Sequence, residues 1–213
     1  PGLFIKRQVF KCSKSPGNDG LTIEFYRKFW DILGTKLVAC FNYSHVFGEM
    51  STSQRQAIIT LIEKQGKDHL YLKNWRPISL LNVDYKIATK ALSLRLKHVL
   101  PEIINNDQNG YIEGRQIFHS IRVIQDIMEI TSRERRRGIM IMVDFEKAFD
   151  SLEWDFLIQA LYKFNFGEGF IQWVKTLYHN ISSCIINSGT TSPYFSLYRG
   201  TRQGDPLSGY LFI

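Results

Sequence analysis

The sequence predicts a mixed α/β or α+β protein, a small mixed sheet flanked by helices. Apolar residues recur at helical spacing near both ends and in the middle of the chain, and short β-branched runs lie between those segments. No internal repeat, low-complexity tract or Gly/Ser-rich linker divides it. The 213 residues can bury one substantial core or two small ones, and 44% hydrophobic with 14% aromatic content is a globular composition.

The elements follow in order. "KSPGNDG" (Lys14 to Gly20) is dense in turn formers, and behind it Phe25, Phe29 and Leu33 repeat every four residues. That spacing predicts a helix, continued by a second through "KLVACFNYSHVF". "AIITLIEK" (Ala57 to Lys64) is short and β-branched, so it predicts a strand. "GKDHLYLKNWRPISLLN" reads as irregular because Pro77 restricts Arg76 to extended geometry. Asp84 then caps a helix whose face carries Ile87, Ala91 and Leu94 and which Pro101 stops. "NNDQNGYIEGR" (Asn105 to Arg115) is a polar loop, followed by the helical stripe Ile117, Ile121, Ile124 and Met128. The basic "SRERRRG" after it reads equally as a solvated helix end or a phosphate contact. The apolar run Ile139 to Val143 predicts a strand buried on both faces. Asp150 and Glu153, in capping-box spacing, predict a helix from about Ser151. A further helix holds Phe170, Trp173, Val174 and Leu177; "SSCIINSG" and "PYFSLYRG" form a hairpin around Gly189. Pro206 behind Asp205 opens a last helix.

Composition narrows the function classes. Lys+Arg at 27 against Asp+Glu at 20 leaves +7, an excess that attracts a polyanion such as nucleic acid or an acidic membrane surface, or simply solubilises. Cys12, Cys40 and Cys184 are odd in number and widely spaced, which suggests neither a disulfide framework nor a zinc site and fits a reducing, intracellular setting. No apolar run approaches the ~18 residues of a membrane helix, and no charged-then-apolar leader opens the chain.

Asp144 is the sharpest chemical signal. A carboxylate ending a buried strand, beside the carbonyl of the chain leaving it, supplies hard oxygen ligands suited to Mg²⁺. The alternative is an Asp that caps its own turn. One acid cannot by itself hold the paired ions of two-metal phosphoryl transfer. In "RQGDPLS", Gly204 allows close backbone approach to a ligand, and Gln203 offers both donor and acceptor; a plain loop before a helix is the other reading. In "KNWRP", Arg76 can fork onto a phosphate, with Lys64, Lys67 and Lys73 near it in sequence, while Trp75 also suits a core. "KSPGNDGL" lacks the spacing of a nucleoside-triphosphatase phosphate loop.

Taken in order, "KSPGNDGLTIEFYRKFW", "ITLIEK", "NWRPISLLNVDYKIATKALSLRL", "DQNGYIEGR", "MVDFEKAFDSLEWDFL" and "GTRQGDPLS" resemble the successive blocks of the reverse transcriptase of non-LTR (LINE-type) retrotransposons. Group II intron and retron enzymes share the general plan, but "NWRPISLLN" and "VDFEKAFD" are closer to the LINE type. The resemblance covers the chain from about Lys14 onward and leaves residues 1–13 unplaced. It implies a right-hand polymerase, with fingers over 14–137 and a partial palm over 138–213.

What the resemblance implies for the site is specific. Asp144 binds catalytic Mg²⁺ together with the Phe145 carbonyl. Phe149 packs under the incoming sugar and rejects a 2′-OH. Gln203 and Gly204 line the nucleotide pocket, while Arg76 and a lysine upstream, Lys67, contact the triphosphate. The partners are an RNA template, a DNA primer and a dNTP; the family favours the nucleus over the cytoplasm. Thr201, Gly209, His119 and Ser120 depart from the usual pattern, as in divergence or a decaying genomic copy. The family's aromatic-x-Asp-Asp sequence does not occur in this chain, which reads as an excerpt. The expectation is therefore that the acids sharing metal with Asp144 lie outside it and that these 213 residues alone do not polymerise. The alternatives are a non-catalytic nucleic-acid-binding remnant and a pseudogene product.

Overall fold

A computed structural model describes residues 11–213; of the segment left unplaced by sequence, residues 1–10 lie outside it. The elements are α1 (Ile23–Lys28), α2 (Trp30–Phe47), α3 (Thr52–Arg55), β1 (Gln56–Glu63), β2 (Trp75–Leu81), α4 (Val83–Ile103) and α5 (Ile117–Arg133). They continue with α6 (Ala148–Ser151), α7 (Trp154–Lys163), α8 (Glu168–Tyr178), β3 (Ser182–Asn187), β4 (Thr190–Thr191), β5 (Phe195–Ser196) and α9 (Ser208–Phe212). The predicted small mixed sheet flanked by helices is what forms. Its order is β2-β1-β3-β4, with β1–β2 antiparallel, β1–β3 parallel, and β5 beside β4 on the outer edge of β3.

The core lies between this sheet and α4, α8 and α9. Tyr85 and Ile87 of α4, Ile171, Val174 and Leu177 of α8, Ile181, and Leu207 just before α9 are all buried there. Burying such side chains stabilises by about 1.5–3 kcal/mol each. The first helical segment breaks at Phe29, which caps the end of α1 and the start of α2; the Phe25 and Phe29 rings still meet, tilted, with centres 5.1 Å apart. β1 stands as predicted, whereas the turn at Gly189 joins β3 to Thr190–Thr191, and of the predicted second strand only Phe195 and Ser196 pair with β3. Ser188 and Gly189 both take positive φ, 48° and 81°, as a type I′ turn requires.

Several expectations are corrected. Residues 75–81 are not irregular: β2 pairs with β1 along its whole length, from Glu63 opposite Trp75 to Ala57 opposite Leu81. Pro77 is tolerated because Ser79, of the same parity, sends its N–H outward to Gln203, so the missing N–H of Pro77 also lies on the outer edge. Asp84 does not cap α4; Asn82 occupies that position, and Asp84 sits in the first turn accepting from Gln54 Nε2 at 2.8 Å. Nor does Pro101 stop α4, which runs on to Ile103 because a proline in the last turn costs a single backbone bond.

The largest correction concerns Ile139 to Val143. This run forms no strand, and Ile139 and Val143 are 92% and 72% exposed. A β-prone run becomes a strand only against a neighbour that accepts its ladder. β1 is paired on both sides, β3 takes β4 and β5 on its outer edge, and no strand among the described residues stands beside 139–143. The capping box at Asp150 and Glu153 does not form either. Asp150 lies inside α6, and Glu153 precedes α7 without a side-chain cap bond. α5 has the predicted stripe, but none of its side chains is fully buried.

Candidate nucleotide-binding site

Residues 200–205 cross the molecule between α6 and the outer edge of β2, and backbone bonds fix them on both sides. Gly200 N–H donates to the Leu152 carbonyl and Thr201 N–H to the Phe149 carbonyl, each at 2.7 Å. Trp154 Nε1 donates to the Gly200 carbonyl at 2.9 Å. Gly200 has φ +83°, and a Cβ there would meet the Asp150 carbonyl at 2.9 Å, so only glycine fits. On the other side Ser79 N–H donates to the Gln203 carbonyl at 2.9 Å. Gly204, at φ +109°, brings the chain so near β2 that a Cβ would stand 3.0 Å from the Ser79 carbonyl.

Buried polar groups anchor the same loop from beneath. The Arg202 guanidinium lies 5.2 Å over the Tyr85 ring and donates to the Arg55 carbonyl, and Ser208 Oγ donates to the Arg202 carbonyl at 3.0 Å. The Asp205 carboxylate accepts from Leu207 N–H at 3.1 Å. Burial pushes its pKa up, against the opposing pull of the Thr89 hydroxyl, the Leu207 N–H and the charges of Arg202 and Lys86. Burial likewise lowers the Lys86 amine and raises the Tyr85 phenol. Asp205 thus serves the turn before α9 and does not cap the helix, which starts at Ser208 behind Leu207 and not at Pro206.

Two cavities flank the loop. One, of about 540 Å³, is lined by Phe149, Gln203 and Gly204 together with Lys90, Tyr111 and Gly209. That volume is within the about 300–1,000 Å³ range of small-ligand sites. The other, of about 640 Å³, opens between Pro77 and Ser79 of β2 and residues 199–203, so Gln203 borders both.

Of the residues singled out in the sequence, Phe149, Gln203 and Gly204 therefore come together. Asp144 and Phe145 do not join them: both are exposed in the irregular segment before α6 and line neither cavity. Arg76 is exposed on β2, where strand alternation sets it on the face opposite Pro77 and Ser79. Lys67 is exposed in the β1–β2 connection, its N–H donating to the Lys64 carbonyl at 3.3 Å. Sequence reasoning missed Tyr111 and Lys90. The turn formers around Tyr111 marked only a loop, and Lys90 lies in a helix read for its apolar face.

No group of three or more His, Cys, Asp or Glu side chains among the described residues could hold a metal ion. Asp144 offers one exposed carboxylate beside the Phe145 carbonyl, so the described residues do not by themselves compose a metal centre.

A small mixed sheet flanked by helices is consistent with the fold of a polymerase fingers and palm fragment. The reverse transcriptase (RNA-dependent DNA polymerase) family matches residues 62–213, and the chain belongs to that family. Its relatives set it among the LINE-type, non-LTR retrotransposons. It is 43% identical over 201 residues, 94% of this chain, to the transposon TX1 uncharacterized 149 kDa protein of Xenopus laevis, covering 15% of that relative. It is 27% identical over 219 residues to the Pol polyprotein of the type-1 retrotransposable element R2 of Popillia japonica, covering 98% of this chain and 29% of the relative. With the putative 115 kDa protein of the Drosophila melanogaster element R1DM it shares 26% identity over 152 residues, 71% of this chain and 15% of the relative. The chain thus spans under a third of the length of each. Family membership implies dependence on a divalent cation in general. No helix of the described residues is long and apolar enough to cross a membrane.

Proposed function

We propose that this chain is the fingers, residues 14–137, and the first part of the palm, residues 138–213, of an RNA-directed DNA polymerase that copies a LINE-type element in the nucleus. The observation that carries the reading is the convergence of Phe149, Gln203 and Gly204 on one cavity in a chain of this family. The reaction joins a primer 3′-oxygen to the α-phosphorus of a dNTP on an RNA template and breaks the bond to the β-phosphate, releasing pyrophosphate. Phe149 supports the sugar and excludes a 2′-OH, the Gln203 amide orients the nucleotide, and Gly204 lets the backbone lie close to it. Arg76 and Lys67 supply positive charge toward the triphosphate. Asp144 and the Phe145 carbonyl would contribute oxygen ligands to Mg²⁺, which would stabilise charge on the transferred phosphate.

The 213 residues alone are expected not to polymerise, because the aromatic-x-Asp-Asp sequence whose acids would share metal with Asp144 does not occur among them. That same observation favours a second reading for them in isolation, a non-catalytic module that holds an RNA–DNA duplex. Primer extension on poly(rA)/oligo(dT) tests both statements. The isolated chain should incorporate no dTTP; incorporation that Asp144→Ala abolishes would overturn the claim. In the full polypeptide carrying the domain, Asp144→Asn should lower incorporation by at least about 10²–10³-fold. Retained activity would remove Asp144 from the site.

A further inference from the structure

We infer that Tyr111 is a specificity-determining wall of the nucleotide cavity: with Phe149 it sets the width available to the incoming sugar, and Gly209 provides the room its ring occupies. The inference rests on the polymerase reading above. Tyr111 lies in the loop between α4 and α5, far in sequence from the other lining residues, yet its ring borders the same cavity as Phe149, Gln203 and Gly204. It meets Phe149 edge-on, with ring centres 6.3 Å apart at 75°. Phe149 is also held by Phe212 of α9 at 4.5 Å, so the two neighbours together fix the tilt of the Phe149 ring.

The backbone is built to hold that ring in place. Tyr111 has φ +59°, a conformation rarely adopted by a bulky residue unless its surroundings impose it. The surroundings do impose it. Arg115 donates to the carbonyls of Pro101, Ile104, Asn105 and Gln108 and to Asn106 Oδ1, tying the loop to the end of α4. Next to Tyr111, the Ile112 side chain is buried. Opposite the ring, a Cβ added at Gly209 would lie 2.5 Å from Tyr111 Cε1 and 2.7 Å from Cδ1, closer than real contacts allow. Any side chain at 209 therefore moves the ring, and a moved ring releases or crowds Phe149. A Tyr111 that only filled space would need neither the strained backbone nor the vacancy at 209.

Steady-state primer extension by the full polypeptide, with dTTP and UTP as competing substrates, tests this. Tyr111→Phe keeps the ring and should keep the dTTP-over-UTP ratio of kcat/KM. Tyr111→Ala should lower that ratio about three- to tenfold, the scale of one lost aromatic pair. Gly209→Ala should lower kcat/KM for dTTP by a similar factor, and adding Tyr111→Ala to it should recover most of the loss, since the displaced ring is then gone. Melting curves on every variant identify a global folding defect. A Tyr111→Ala enzyme whose ratio stays within about twofold of wild type, or a double variant whose losses simply multiply, would overturn the inference. A wild-type polypeptide without any incorporation would instead overturn the polymerase reading and this inference with it.

Discussion

Asp205 is buried under the Gln203–Gly204 turn, facing Arg202, Lys86, the Thr89 hydroxyl and the phenols of Tyr85 and Tyr178. Burial dominates and raises its pKa above that of the unfolded chain, so the native state holds this proton more tightly. Its contribution to stability is then fully present below the unfolded value, about 3.9, and is lost as pH rises through the folded one. Glu24 works in the opposite direction. The Ser13 N–H, at 2.7 Å, is the largest influence holding its pKa down to about 2, so its contribution appears above the unfolded value and fades in acid. Asp205→Asn removes the first effect while leaving an oxygen for the Leu207 N–H. The melting temperature of the wild type relative to this variant should therefore fall as pH rises above the unfolded value of about 4, by about 2–4 °C for each kcal/mol involved. Asp84, also raised by burial, titrates in both proteins and cancels from the comparison. A difference that does not change with pH would show that Asp205 is not held in this way.

Strands show where the sequence was legible and where it was not. The helical stripes of α5 and α8 and the β-branched run of β1 are local patterns, and they read correctly. β2 and residues 139–143 were misread in opposite senses for one reason: strand formation depends on a partner that local sequence does not name. Pro77 made a true strand look broken, because nothing local says which edge its missing N–H faces. At 139–143 five consecutive apolar residues looked like a buried strand, yet no described strand pairs with them. The candidate site divides in the same way: Gln203, Gly204 and Phe149 were legible from their motifs, whereas Tyr111 depends on loop geometry. The edge argument for β2 predicts a contrast between two positions of equal parity. Pro77→Ala should change the urea midpoint little, because the outward N–H it creates can meet water. Ser79→Pro removes the bond to the Gln203 carbonyl and should cost about 1–3 kcal/mol. Equal effects at the two positions would mean that β2 does not hold the loop by this bond.

Across the molecule, the net charge of +7 is unevenly useful for binding a polyanion. The three arginines 135–137 follow α5 on a segment where Arg136 is already paired with Glu134 at 2.7 Å. Lys67, Lys73 and Arg76 instead cluster around the β1–β2 connection, beside the exposed Leu70, Tyr71 and Leu72. Lys73 also lies 5.5 Å over the Tyr71 ring, so cationic and stacking groups share one surface there. A surface of that composition suits a nucleic-acid backbone with unpaired bases better than a purely basic tail does. Binding of an RNA–DNA hybrid by the 213 residues should weaken steeply with salt, and each cation that touches a phosphate should contribute about 0.7–0.9 to the slope of log K against log salt. Replacing Lys67, Lys73 and Arg76 with alanine should reduce that slope by about two or more, whereas alanines at 135–137 should leave it within about one. Lys64 is kept intact in the test, because its amine donates to the Lys73 carbonyl and supports the turn itself. If the arginine segment carried the larger share of the slope, the duplex would have to approach from the α5 end, and the role proposed for Arg76 and Lys67 toward the triphosphate would fall.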